Sequence, residues 1–439
     1  MSEFDLTFKL APFLDVHLIM PLLEFLEPRK LFDDKSIRET QRAILSQTNY
    51  IDNLIETYPA DQVPPELVQK RETIAKEREE LKAKVNPILA ILEQDAVKEN
   101  LAKVLKPEEF TSFLENLQTN YNFTPDMLDT LYKYAKLQYE CGDYMSSSVL
   151  LQYYRQLVPQ HDLKNYLNAL YGKLASEIML MEWDHARDDL LKLRVYIDAN
   201  PFDTEAELIH QRAWLLHWSL FVYFNSANGR NEIVDLFFHN YNYLNTIQIL
   251  CPHLLRYLVV AVMTGKTKQP NIIRKLVSVI KMVRHSYHDP VTEFLTCLYV
   301  NFDFDDAQEK LKLCEEVLTN DFFLTACLSD FRESARLLVF DMFCRIHQSV
   351  SIEALAKRLN MTESDAERWI VDLIRINRIE GAKIDSIHGV VAMASHTNNQ
   401  SVHEKVLENT KSMVNRVEQL AFQLKDTKFR DMKLRPTHR

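Results

Sequence analysis

Six glycines in 439 residues set the first limit on this chain. Glycine is the default residue for left-handed and tight turns, and average usage is about 7%. A chain this poor in it cannot make the many hairpins of an all-β fold. Helices need fewer such turns, so the expectation is a mainly α architecture. The length predicts about three domains or one extended array. A chain of this size buries roughly three quarters of its unfolded surface, so no disulfide is needed to hold it.

Strand signals concentrate in one stretch, Phe331 to Met393. Three helical segments come first. Two short alternating runs follow, Ala382–Asp385 and Val390–Met393, either side of a turn at Ile387-His388-Gly389. Three helices and a small hairpin in that order predict a winged helix over 331–395. Its recognition helix runs Thr362–Ile376 behind a Thr362/Asp365 capping box. Trp369, Ile370, Leu373 and Ile374 have core spacing.

Winged helices often read DNA with the first turn of that helix. Here the turn carries Glu363, Asp365 and Glu367, which phosphates repel. Arg368, Arg375 and Arg378 lie further along and are offset by Asp372. The motif therefore predicts protein contacts, and no sequence-specific DNA binding. Its hairpin edge, with Lys383, Asp385, Val390 and Met393, is a candidate for pairing with another chain's sheet.

The remainder reads as helix on helix. Residues 4–26 are apolar at helical spacing, and Pro12 and Pro21 should break them into short helices. The leucine-rich 14–26 stretch could serve as an export signal, but burial fits its pattern better. Ser36 and Glu39 form a capping box for a helix expected to run to about Thr57, before a Pro59–Pro65 linker.

From Glu66 to about Lys106 a long charged helix is expected, bent at Asn86-Pro87. Leu67, Ile74, Leu81 and Ile88 recur every seven residues, but Arg71 and Arg78 fill the matching offsets. That is half a coiled-coil seam, open to internal packing or to self-pairing.

From Thr124-Pro125, an N-cap with proline at N1, the pattern repeats. Tyr144, Trp183 and Phe304 each follow a turn. Each has a small residue at +3 (Ser147, Ala186, Ala307) and leucine at +7 (Leu151, Leu190, Leu311). Tyr144 and Trp183 are 39 residues apart, and Trp183 and Phe304 are 121 apart, about three further units of 40. A small residue lets paired helices approach closely while the aromatic plugs the turn, which is the logic of tetratricopeptide-like repeats. Asp289-Pro290 starts a further helix by the same cap-plus-proline device.

After Met393, residues Ser395–Ser401 are loop-like. Val406, Thr410, Met413, Val417, Leu420 and Leu424 then alternate spacings of four and three. Such a seam is not stable on an isolated helix and needs partner helices. Val406, Met413, Val417, Leu420 and Leu424 are therefore candidate interface residues. Lys428–Arg439 is basic, and disorder is expected there.

The expected fold is a mainly α, right-handed helical-repeat solenoid of TPR/HEAT-like type. It ends in a winged-helix subdomain and a C-terminal helix. The expected divisions are 1–62, N-terminal helices; 63–120, the charged helix and connector; 121–330, repeats; 331–395, winged helix; 396–439, interaction helix and tail.

No catalytic, cofactor or metal constellation is evident. Thr264-Gly265-Lys266-Thr267 resembles the end of a phosphate-binding loop, but Val260 replaces its first glycine and a helical run precedes it. His285 and His288 lack a third ligand, and His210 and His217 read as helix-face packing. The Asp303, Asp305 and Asp306 cluster suits a helix N-terminus. Six widely spaced cysteines predict buried free thiols in a reducing compartment. A net charge of −10 disfavours non-specific binding to nucleic acid or anionic membrane. No apolar run approaches the ~20 residues of a membrane span. A soluble intracellular protein is expected.

Helical repeats leading into a winged helix and a partner-seeking helix resemble a PCI domain, here at about 219–395. This is the module of the proteasome lid, the signalosome and initiation factor 3. Specific runs carry a closer likeness: Asp5-Leu6-Thr7, Phe13-Leu14-Asp15 with His17-Leu18, and Pro21–Leu26. So do DPVTEFLTCLYVNFDF (289–304), NDFFLTACL (320–328), FCRIHQ (343–348) and LAKRLNMTESDAERWIVDLIR (355–375). On these runs the chain resembles the Int-6 family, the e-type components of eukaryotic translation initiation factor 3, over nearly its whole length. Val16 stands where that family usually has arginine, and Gly381 is added before the first wing strand.

The resemblance implies a non-catalytic scaffold subunit without cofactors, whose C-terminal helix joins a bundle. The implied partners are the c, d and l subunits, the remaining PCI/MPN core, the 40S ribosomal subunit and initiation factor 4G. It implies support of mRNA and initiator tRNA recruitment, no membrane association, and a cytoplasmic location with an additional nuclear pool. A PCI subunit of the proteasome lid or signalosome, and a winged-helix nucleic-acid-binding regulator, are the alternative readings.

Overall fold

The computed structural model describes residues 4–58, 64–92, 124–158, 163–202, 204–239, 241–265, 270–347, 349–359, 362–375, 382–385, 389–393 and 402–433. Among them are twenty α-helices and three short strands. The chain divides into two compact units, Met1–Ala335 and Arg336–Arg439.

The first unit is helical throughout its described residues. It begins with α1 (Thr7–Leu10), α2 (Val16–Leu26), α3 (Asp34–Leu45), α4 (Ile51–Glu56) and α5 (Pro65–Leu92). The stacked pairs follow: α6 (Pro125–Glu140), α7 (Tyr144–Leu157), α8 (Leu163–Met179), α9 (Trp183–Ala199), α10 (Glu205–Asn225) and α11 (Gly229–His239). The series closes with α12 (Tyr241–Ile249), α13 (Leu255–Thr264), α14 (Pro270–Val283), α15 (Pro290–Thr296) and α16 (Phe304–Thr319). From α6 to α11 each helix packs against the next, as a helical solenoid requires.

The repeat register is set by three similar turns. Tyr144, Trp183 and Phe304 are each the first residue of a helix, α7, α9 and α16. Ser147, Ala186 and Ala307 are buried at the close approach, and Leu151 and Leu190 are buried behind them. Leu311 is only half-buried.

Before each helix one residue takes the left-handed conformation: Gly142 at φ 88°, Met181 at φ 60° and Phe302 at φ 55°. The next amide bonds backward across the turn, Asp143 to the Gln138 carbonyl and Glu182 to that of Glu177. This is the Schellman closure. Asp303 reaches one residue further, to Cys297, because the preceding helix ends in a π turn over Cys297–Asn301. Two of the three left-handed sites thus dispense with glycine, which is how so glycine-poor a chain still turns.

Met181→Gly should therefore stabilise the fold by about 0.5–1 kcal/mol, since its side chain is 72% exposed and little burial is lost. Gly142→Ala should destabilise it by about 1–3 kcal/mol. An added Cβ would meet Tyr50 Cε2 at 2.7 Å. Thermal unfolding of the two variants should move in opposite directions.

Three expectations near the N-terminus fail. Pro21 lies inside α2 and does not break it. The apolar face around it, Leu18, Ile19, Leu22, Leu23 and Leu26, is buried, and that packing offsets one lost backbone bond. Ser36 does not cap a helix: α3 starts after Asp33. Nor does that helix reach Thr57. It stops at Leu45, where Thr48 Oγ1 donates to the Leu45 carbonyl and accepts from the Tyr50 amide. Those local bonds replace helical ones.

Helix α5 uses its seam within the chain. Leu67 packs against Met20, Leu45 and Leu54. Val85, Ile88 and Leu92 are buried against α6 and α7. Arg71 pairs with Asp52 at 2.9 Å and Arg78 with Asp143 at 3.2 Å. The two arginines that spoil the coiled-coil pattern are the residues that tie α5 to its own neighbours. The helix continues across Asn86-Pro87; the Pro59–Val63 stretch and the extension to Lys106 lie outside the described residues.

Residues 4–29 run across the whole series. Asp15 accepts from Tyr139 and His17 Nδ1 meets Tyr144 Oη at 3.0 Å. The Phe13 carbonyl accepts from Trp218 Nε1, and its ring stacks on His217 at 4.3 Å. Phe25 contacts Phe322 edge-on, and Arg29 donates to the Thr319 carbonyl. The leucines of a would-be export signal are interior residues of this strap.

Under the strap lies a buried histidine pair. His217 Nδ1 donates to the Ala213 carbonyl at 2.6 Å, which leaves Nε2 to accept from His253 Nε2–H at 2.8 Å. Burial pushes the pKa of His217 down to about 4, with partial relief from the Ala213 bond. Burial, and then His217 itself, pushes that of His253 to about 3. Both folded values lie below the ordinary 6.5, so the unfolded chain takes up protons first as pH falls. The stability contribution is complete above pH ~6.5 and is lost on descent towards pH 4. From pH 7 to pH 5 the pair should cost on the order of 2–4 kcal/mol. Urea midpoints at the two pH values should show this, and a double His217→Gln, His253→Gln variant should flatten the dependence.

Candidate subunit interface

The second unit is a winged helix with a long trailing helix. Helix α17 (Leu328–Ile346) leads into β1 (Ser349–Ser351), α18 (Ile352–Leu359), α19 (Glu363–Arg375), β2 (Ala382–Asp385) and β3 (Val390–Met393). The sheet order is β1-β3-β2, antiparallel throughout. Gly389, at φ 60°, supplies the left-handed residue that enters β3. Its carbonyl accepts from the Ile352 amide at 2.8 Å, fastening the wing to α18.

The core of this unit is Val350, Ile352, Leu355, Ala356, Ala366, Ile370, Leu373 and Val391. Trp369 is not a full core residue: it is half-buried, edge-on to Phe340 at 5.7 Å. Its ring closes the rim of the core, one position round the helix from Ile370. The Ile374 side chain lies outside the described set.

The capping box forms as expected. Thr362 Oγ1 donates to Asp365 Oδ2 at 2.6 Å and accepts from the Asp365 amide at 3.3 Å. Asp365 and Glu367 are exposed on the first turns of α19. Arg375 is paired with Asp372 at 3.8 Å. The end that would face a duplex is acidic.

Strand β2, with Lys383 and Asp385, is an outer strand. Val390 and Met393 lie on the central strand, where Val390 pairs with both Ser351 and Asp385. Edge pairing with another sheet would therefore use β2 or the short β1. The sequence gives little sign of β1: Ser349-Val350-Ser351 has one apolar residue, and it becomes a strand only because Val350 registers opposite Val391.

Beyond the wing, α20 (Val402–Lys433) is a single 32-residue helix. The chain stays helical through Lys433, so disorder from Lys428 is not what the structure contains; Leu434–Arg439 lies outside the described residues. Val406 (59%), Met413 (69%), Val417 (63%), Leu420 (51%) and Leu424 (64%) are all exposed. Leu407 and Val414 are exposed too. They fall one position after the seam residues Val406 and Met413. The stripe is therefore wider than a strict two-helix seam, and suits packing between two or more neighbours. The hydrophobic positions beside the seam are what the alternation of four and three alone does not reveal.

Elsewhere the chemistry is structural. Asp303 Oδ1 accepts from the amides of Asp305 and Asp306, as a helix cap does. All six cysteines are free thiols, four of them buried. Among the described residues no group of three metal-ligating side chains occurs, and no single helix is long and apolar enough to cross a membrane.

Comparison with known proteins agrees with this architecture. Residues 5–138 match the family described as eIF3 subunit 6 N terminal domain, and residues 292–395 match the PCI domain. The E component of eukaryotic translation initiation factor 3 from Caenorhabditis elegans is 61% identical over 97% of this chain and 98% of its own length. That of Brugia malayi is 58% identical over 98% and 96%. That of Bombyx mori is 44% identical over 95% and 94%. Identity at this level across almost the full length of both chains, with both family domains in place, means that the chain belongs to the E-component family of eukaryotic translation initiation factor 3.

Proposed function

We propose that this chain is a non-catalytic scaffold subunit of the eukaryotic translation initiation factor 3 complex. Helix α20 carries the proposal: an exposed apolar stripe from Val406 to Leu424 has a stability reason to exist only if other helices cover it. The outer strand β2, with Lys383 and Asp385, offers a second attachment by sheet extension. The helical solenoid supplies a stiff arm.

The fitting partners are the c, d and l subunits and the rest of the PCI/MPN core. Through them the chain supports binding to the small ribosomal subunit and recruitment of mRNA and initiator tRNA, with initiation factor 4G as a further contact. The site of action is the cytoplasm, with a nuclear pool as a secondary location. The acidic first turns of α19 speak against a winged-helix DNA reader.

Purification of the tagged chain from cells, with identification of the co-eluting chains, tests the assignment. The expected result is the set of initiation factor 3 subunits in near-equal amounts. Co-elution with proteasome-lid or signalosome subunits instead would reject it.

A further inference from the structure

No acidic residue occurs between Asp235 and Asp289, in a chain that has 62 of them. Helix α14 lies in this interval. Its buried face is Leu276, Val277, Val279, Ile280 and Val283. Its solvent face carries Asn271, Arg274, Lys275, Ser278 and Lys281, with Arg284 and His285 in the turn that follows, all exposed. Positions 271, 274, 275, 278 and 281 fall on one side of a helix. Among the described residues no carboxylate pairs with Arg274, Lys275, Lys281 or Arg284. The elements packed on α14 add none: α13 has no acidic residue, and Glu293 of α15 already holds Lys310 at 2.6 Å.

We propose that this face of α14 binds the phosphate backbone of a double-stranded nucleic acid. Three of the four cations lie on α14 and Arg284 follows it directly, so together they span about 15 Å along its axis; Asn271 and Ser278 add uncharged donors beside them. The inventory is one of donors for anionic oxygens. A protein partner would need aromatic or aliphatic anchors at the centre of the face, and Met282 is the one large apolar side chain there. A membrane would need the apolar side of the helix, which is spent on the core. Unpaired bases would need an aromatic platform, and none of the face residues is Phe, Tyr or Trp. Sequence-independent contact with a double-stranded backbone remains.

The overall charge of −10 does not forbid this. At physiological salt the Debye length is about 8 Å, so a bound phosphate responds to the local face. The proposal is independent of the scaffold role.

The test uses the full-length chain and fluorescent hairpins of about 12 base pairs, one of RNA and one of DNA, the tighter-bound of which identifies the kind of duplex and serves as the hairpin below. Binding is followed by anisotropy across a salt series. The wild type should bind with a log–log salt slope of roughly −3, for about four phosphate contacts. The variant with Arg274→Gln, Lys275→Gln, Lys281→Gln and Arg284→Gln should lose at least tenfold in affinity at low salt and most of the slope. A control with Lys70→Gln, Lys76→Gln, Lys82→Gln and Lys84→Gln changes net charge equally on exposed positions of α5, and should lose less than threefold.

Equal losses in variant and control, or no loss in the variant, would overturn the proposal. So would tighter wild-type binding to polyglutamate or to phosphatidylserine vesicles than to the hairpin. The α14 variant should co-purify with the same subunits as wild type; loss of that assembly would instead make the face a subunit interface.

Discussion

Replacing Arg256 with Met should cost the first unit about 3–5 kcal/mol, the range for breaking a buried ion pair by removing one partner. Arg256 lies on α13 and its side chain is 2% exposed. Its Nε donates to Asp289 Oδ1 at 3.0 Å, Nη1 to Asp321 Oδ2 at 3.2 Å and Nη2 to the Phe4 carbonyl at 2.7 Å. Asp289 caps α15 through the Val291 amide, and Asp321 also accepts from Tyr257 Oη and the Phe323 amide. One guanidinium thus joins α13, the start of α15, the turn after α16 and the N-terminal strap. Burial opposes its charge, and Asp289, Tyr287 and Asp321 more than reverse that, so its pKa is raised further.

Methionine would fill much of the volume and leave two buried carboxylates without their cation. Lysine would keep the charge but not the fork that reaches three acceptors, so Arg256→Lys should recover only part of the loss. Denaturant unfolding of the three proteins should rank wild type, Lys, Met in falling stability. A loss below about 1 kcal/mol for the Met variant would mean that the cluster is not sealed from water.

The second large effect concerns assembly. Met413→Glu, Val417→Glu and Leu420→Glu together place three carboxylates in the middle of the α20 stripe. These side chains already face solvent in the isolated chain, so the variant should fold with an unchanged melting temperature. In a complex each would be desolvated without a partner. With roughly 1.5–3 kcal/mol of burial lost per side chain, affinity for the other subunits should fall by a factor of about 10³ or more. Substitutions on the opposite side of the helix, Asn415→Glu and Gln419→Glu, should have little effect.

What could be read from the sequence followed from how local each signal was. The winged helix was legible because its helices, wing strands and Thr362/Asp365 box are consecutive. The α20 stripe was legible because, among the described residues, its own unit leaves it exposed, so the heptad spacing survives intact. The small residues Ser147, Ala186 and Ala307 marked the repeats because a close helix approach tolerates few other residue types there.

Features made by distant partners were not legible. Nothing near Arg256 announces that Phe4, Asp289 and Asp321 will converge on it, and His217 gives no sign of His253. Local rules also lost to burial: Pro21 stays helical because the leucines around it are packed, and the Ser36 box yields to a start at Asp33. Trp369 has core spacing, but its helix turns only part of the indole inward.

Assembly of a chain ended after Ser401 is the most direct test of the scaffold account. Tagged full-length and shortened chains would be expressed at equal levels, and the subunits recovered with each quantified. The account predicts a shortened chain that melts like the full-length protein in its first unit and recovers a small fraction of the initiation factor 3 subunits. Recovery of the complete set in undiminished amount by the shortened chain would contradict it, because α20 would then not be the helix that holds this protein in its complex.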